Sequence, residues 1–313
     1  MAGAIAAAPG MAAADEFLVG DIPVIDTHIH LFDGLRPQGA PYLGNPKFHN
    51  GVSLPGDYWS FAASLGIAGA ISIDASPWLE DNLWVLEQMQ PEPFMVGMCG
   101  NLQPEKPEFA EYLDRFAKNP LFRGIRYGNV WGYDIVQQLD NPVFVDGLKR
   151  LQQHDLVLDT ANPRIDLLQA AIRASDKVPD LRIVIDHMAG FDPAPEEQAS
   201  YHAALKELGS RNNIFIKVSQ IDHAVGERGG KLVLGLEAHR ARLDTLVGAF
   251  GEDRIMFSLG WPGSGDPAVM KDQLALTRKY FGARGRAVAE KFFWRNSAAC
   301  FKWIRRLPSQ PVV

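Results

Sequence analysis

The chain has 313 residues, 31 basic against 37 acidic side chains and a net charge of −6. An acidic balance of this kind argues against a nucleic-acid partner, which needs a basic surface. Hydrophobic residues at 47% with charged residues at 22% exclude disorder and coiled coil as the main state. A chain of this length buries enough apolar surface to need no staple, and two cysteines, Cys99 and Cys300, make no disulfide framework.

Residues 1–20 read as a tail. Ala2 to Ala14 are almost all small or apolar, and Asp15 and Glu16 follow. This resembles the end of a trimmed export signal with an A-x-A site, although no positive segment precedes it. A plain flexible tail fits equally. The first reading places the protein in the periplasm or outside the cell, the second in the cytoplasm. No run reaches membrane-spanning length, so membrane insertion is not expected.

From Val24 onward, short apolar runs alternate with helical stretches. The runs are Val24–His30, Gly69–Asp74, Phe94–Cys99, Phe122–Tyr127, Leu156–Thr160, Arg182–His187, Ile214–Ser219 and Arg254–Ser258. Continuous Val, Ile, Leu and Phe over four to seven residues predict strands buried on both faces. Between them, Asn141-Pro142 forms a cap and first-turn proline ahead of Val143–Gln153, and Pro107 opens Glu108–Lys118 likewise. Glu196–Ser210, Glu237–Phe250 and Pro267–Phe281 carry apolar residues at helical spacing. Eight such alternations predict an α/β fold, a single (β/α)8 TIM barrel over residues 21–305. An extra C-terminal helix runs from Gly285 to about Ile304, and 306–313 reads as a tail. The stretch Leu31–Gly56, with Pro37, Pro41, Pro46 and Pro55, predicts a long loop over the barrel mouth.

Asp26-Thr27-His28-Ile29-His30 ends the first strand. Alternation turns His28 and His30 to one face, as chelation of one divalent ion requires, unless both are core histidines. Asp26 shares that face one layer lower and could orient a ligand. The sixth strand ends in Asp186-His187; His187 reaches the same mouth, while Asp186 points away and reads as structural. Arg126, ending strand 4, faces the mouth or pairs with a neighbouring strand. Lys217 and Ser219 share a face of strand 7, where Lys217 either pairs with a barrel carboxylate or contacts substrate. Asp74 and Ser76 lie past strand 2. Trp78, Trp131 and Trp261 sit close to strand ends, where rings stack on small ligands. Cys99 has no activating neighbour in sequence and reads as packing. Nucleophile-elbow, Walker and dinucleotide signatures are absent.

The pieces "IPVIDTHIHLFD" (22–33), "FRGIRYG" (122–128), "LRIVIDHMAG" (181–190), "IFIKVSQ" (214–220) and "DRIMFSLGWP" (253–262) resemble the amidohydrolase superfamily in its amidohydrolase-related branch. That branch includes lactonases of sugar acids and of 2-pyrone-4,6-dicarboxylate, and aromatic-acid decarboxylases. The resemblance implies a metal at His28, His30 and His187, zinc first and manganese second, and a carboxylate-binding role for Arg126. It also implies a strand-8 aspartate that binds metal and takes the proton of the attacking water. Gly260 stands at that position and can do neither. Asp159, Asp222 and His223 are the candidate replacements. Without that ligand the metal itself could be absent, the imidazoles then positioning water directly. The leading expectation is a hydrolase opening a lactone or other cyclic ester of a carboxylate-bearing sugar acid or related small molecule. A barrel that has lost catalysis and binds a ligand, and a metal-dependent decarboxylase, are the alternatives. The expected partner is a small molecule, and a homo-oligomer is compatible.

Overall fold

A computed structural model describes residues 19–42, 51–161, 163–221, 235–264 and 266–313. Eight strands, β1 (Val24–Ile29), β2 (Ile67–Ile73), β3 (Met95–Gly100), β4 (Phe122–Arg126), β5 (Val157–Asp159), β6 (Ile183–Ile185), β7 (Ile214–Val218) and β8 (Ile255–Phe257), pair in parallel and in chain order. This is the TIM barrel that the alternation predicts, with helices on its outside. Every strand residue but Arg123 is buried, which is why the strands read as unbroken apolar runs.

The sheet closes between β1 and the segment after β8. The Gly260 N–H donates to the His28 carbonyl at 3.0 Å, and the His30 N–H donates to the Trp261 carbonyl at 2.8 Å. Asp26 stitches the same seam, accepting from the Leu259 N–H at 3.0 Å, the His28 N–H at 3.1 Å and the Tyr58 hydroxyl at 2.9 Å. Its carboxylate therefore serves closure and accepts from no imidazole nitrogen, contrary to the orienting role expected of it.

The helices follow their sequence signals. Asn141 caps Pro142–Gln153 through the Val143 N–H, and Gly66 ends the turn before β2 at φ +77°. The C-terminal helix is not continuous. Arg286–Glu290 and Asn296–Phe301 flank a wider turn, Lys291–Arg295, whose Phe292 and Phe293 pack on Phe257 of β8. The loop after β1 is tied back: Phe32–Asp33 pairs with Val52–Ser53, and the Ser53 hydroxyl donates to the His30 carbonyl at 2.8 Å. The expected export signal falls in 1–18, outside the described residues. Among the described residues no helix is long and apolar enough to cross a membrane.

Residues 306–310 differ from the free tail expected of them. The Arg306 guanidinium donates to the carbonyls of Met89, Gln90, Glu92 and Met95 at 2.6–3.0 Å. Gln310, 1% exposed, donates to the carbonyls of Ala68 and Pro93. One guanidinium and one amide thus satisfy six backbone acceptors where β2 and β3 begin, at the barrel end away from the histidines.

Two predictions follow from closure. Arg306→Ala strips a charged donor from four carbonyls and should cost about 1–3 kcal/mol, read as a lower thermal midpoint. Burial pushes the Asp26 carboxyl from 3.8 up to about 6, against the lowering effect of its N–H and O–H donors. Between those values the folded chain binds the proton and the unfolded chain does not, so this contribution to stability falls as pH rises. Asp26→Asn keeps an acceptor and mimics the protonated form. Its stability relative to wild type should therefore climb by up to about 3 kcal/mol between pH 4 and pH 7 in denaturant titrations.

Candidate active site

Three imidazoles meet at the C-terminal end of the barrel, the end where barrel enzymes keep their chemistry. His28 and His30 come from β1; His187 follows β6. The Nε2 atoms of His28 and His30 lie 3.1 Å apart, and the His28 and His187 ring centroids lie 4.5 Å apart. Each ring is held by its other nitrogen. His30 donates its Nδ1–H to the Ile73 carbonyl at 3.1 Å, His187 Nδ1 pairs with the Ser219 hydroxyl at 2.7 Å, and His28 Nδ1 faces Asp186 Oδ2 at 3.3 Å. The Ile73 carbonyl only accepts, so His30 carries its proton on Nδ1 and turns an unprotonated Nε2 toward His28; His28 Nδ1 sits between Asp186 Oδ2 and Lys217 Nζ, the latter 3.4 Å away.

The His28 and His30 Nε2 atoms are thus 3.1 Å apart, with the His187 ring beside His28. Burial, reinforced by Arg126, pushes His30 down to about 3. Burial likewise pushes His28 and His187 well below the usual histidine range, so all three imidazoles are held in the neutral form. Ligand atoms of His28, His187 and Asp186 also lie within 4.8 Å of one another. Asp186 Oδ2 thus stands behind the His28 ring, 3.3 Å from Nδ1.

Asp186 was expected to point away. It does not, because β6 ends at Ile185 and His187 adopts a left-handed φ of +53°, so strand alternation no longer governs these two residues. The carboxylate instead turns into a buried network. Lys217 Nζ lies 2.8 Å from Asp186 Oδ1 and donates to Asp159 Oδ2 at 2.6 Å, and Arg126 Nη2 lies 3.6 Å from Asp186 Oδ2. Burial alone would raise Asp186, but the Lys217 ammonium, His28 and the Arg126 guanidinium hold it well below the carboxylate range. Burial and the Asp186 charge push Asp159 well up instead.

Above the imidazoles opens a cavity of about 340 Å³, lined by His30, Tyr42, Asp74, Arg126, Val130, Trp131, His187, Gln220, Gly260 and Gly263. Trp131, His187, Gln220 and Gly260 all have φ between +53° and +78°, so left-handed backbone is concentrated on this lining. For the three non-glycine residues that conformation is strained, a feature that clusters where structure serves a site. Asp74, past β2, accepts from the Trp131 indole N–H at 2.8 Å and the Asn101 amide at 3.2 Å, with Arg126 Nη1 3.6 Å from its other oxygen.

The cavity thus brings together His30, His187, Arg126 and Trp131 of the residues singled out from sequence. His28 lies beneath it, fully buried. Lys217 and Asp159 are also fully buried in the ion network, so neither is placed to touch a substrate. Trp261 donates its indole N–H to Ser53 and packs on Phe61, serving the seam, and Trp78 is 38% exposed outside the lining. Asp222 and His223 lie outside the described residues. Cys99 and Cys300 are free, and burial pushes both thiols up, away from reactivity. Arg126, expected to anchor a substrate carboxylate, already stands between the protein's own Asp74 and Asp186. Tyr42, one of the loop aromatics that could stack on a ring, does line the cavity; Gln220, the last residue of the IFIKVSQ piece, had no role expected of it.

Lys217→Met leaves two carboxylates buried without their cation. The expected cost is about 3–5 kcal/mol, measured as a shifted denaturant midpoint.

The sequence pattern of the amidohydrolase family matches residues 25–303. An L-fucono-1,5-lactonase of Burkholderia multivorans is 25% identical over 286 residues, 88% of this chain and 94% of that protein. The L-fucono-1,5-lactonase of Burkholderia ambifaria is 27% identical over 218 residues, covering 67% and 70%. Among solved structures, an amidohydrolase of Burkholderia multivorans with bound zinc superposes with a TM-score of 0.75 at 22% identity, over 90% of this chain and all of that one.

Proposed function

This chain belongs to the amidohydrolase family and is a hydrolase, and from that premise we propose that it opens the lactone ring of a hydroxylated sugar acid at the three-imidazole site. One observation carries the reading: the His28 and His30 Nε2 atoms lie 3.1 Å apart with the His187 ring centroid 4.5 Å from that of His28, a grouping that would hold one divalent ion. Neutral nitrogen donors suit zinc ahead of manganese, which prefers oxygen. An ion held there supplies Lewis acidity at a carbonyl and a lower pKa for attacking water.

The chain's own residues do the rest. Asp186, kept ionised by Lys217 and Arg126, fixes the His28 ring; Ser219 fixes His187 and the Ile73 carbonyl fixes His30. Trp131, itself anchored by Asp74, walls the cavity with an apolar face suited to a sugar ring. Arg126 offers N–H donors to ring oxygens and hydroxyls. Its charge is already matched by two carboxylates, so it does not demand an anionic substrate. The relatives named for L-fucono-1,5-lactone, an uncharged ring, support the same chemistry.

Elemental analysis of purified protein should find about one zinc per chain, and a pH-stat should record acid release from aldonolactones. His187→Ala should lose the metal and lower turnover by at least about 100-fold. Unchanged turnover in His187→Ala, or no acid release by wild type over a broad lactone panel, overturns the reading.

A further inference from the structure

Gly260 lines the cavity beside His187 and Gln220, and its backbone comes close to both. A Cβ built there lies 3.6 Å from His187 Cε1, 3.7 Å from Gln220 Cγ and 2.8 Å from Ser264 Oγ. Ser264 is committed, since its hydroxyl donates to the Leu259 carbonyl at 2.7 Å. Gln220 is not: no side-chain hydrogen bond occupies its carboxamide among the described residues, and it lines the cavity beside Gly260. Its place is built. Ser219, one residue earlier, holds His187. The Gln220 backbone sits at φ +53°, and only a glycine at 190 lets it in, because a Cβ there would meet the Gln220 carbonyl oxygen at 2.6 Å.

We propose that Gln220 orients the attacking water in the space beside Gly260, its carboxamide oxygen accepting one O–H so that a lone pair of the water faces the lactone carbonyl. The inference rests on the hydrolytic reading above and concerns which residue serves it. In the step, the water oxygen bonds to the carbonyl carbon and the ring C–O bond breaks. One water proton ends on the ring oxygen as the product alcohol, and the other leaves to solvent from the new carboxylic acid. An amide orients but accepts no proton, as with the glutamine that positions water in some nucleotide hydrolases. The wild-type rate therefore lacks an acid limb in the carboxylate range, where a carboxylate base would impose one.

The test is steady-state hydrolysis of an aldonolactone by the purified holoenzyme across pH, with Gln220→Asn and Gln220→Glu. Asparagine tolerates the same left-handed backbone but is one methylene shorter. It should lower kcat about 100-fold with KM within about threefold, the pattern of an interaction made in the transition state. Glutamate, of the same length, should add an acid limb in the carboxylate range to the turnover that remains. Equal kcat in Gln220→Asn and wild type, or an acid limb in the carboxylate range already present in wild type, overturns the assignment while leaving the hydrolase reading intact. Absence of any wild-type turnover overturns both. Should Gln220→Asn not fold, the pH profile of Gln220→Glu decides alone.

Discussion

The ionised carboxylate of Asp186 is the contact on which the site depends. It is fully buried, and it survives as an anion because Lys217, Arg126 and His28 surround it. Without those partners, burial would protonate it and His28 would lose the carboxylate beside its Nδ1. The network also explains why so many charged groups lie inside the barrel. Lys217 and Arg126 stand against Asp186 and Asp74, while burial and the Asp186 charge push Asp159 toward its neutral form.

The glycine at 260 concerns only the other side of the imidazoles. Its N–H still closes the seam onto the His28 carbonyl, and its φ of +78° suits glycine best. The seam, the imidazoles and the position of the missing carboxylate meet within one stretch of backbone. A change made there for chemistry acts on barrel closure as well. Placing the water-orienting group on the neighbouring strand separates the two tasks.

The barrel was legible because parallel strands covered on both faces are written as continuous apolar runs, and the spacing of those runs survives in every one of the eight. His28 and His30 were legible because β1 is regular up to Ile29. Legibility ended where regularity did. Asp186 and Gln220 sit just beyond their strands beside or within left-handed turns, so period-two reasoning assigned one to the wrong side and gave the other no direction. Trp261 has the position of a ligand-stacking ring but spends its N–H on Ser53, a partner 208 residues away that no local pattern reveals. The docking of Arg306 and Gln310 escaped for a similar reason, because their partners are backbone carbonyls, which leave no mark in a sequence.

That docking separates two kinds of tolerance. The strand beginnings of β2 and β3 are fastened by a segment that lies across the whole barrel length from the imidazoles. Exchanging loops at the mouth, to admit a bulkier or differently shaped ring, leaves this fastening untouched. The architecture offers a substrate-facing rim that can be rewritten while the foundation stays in place.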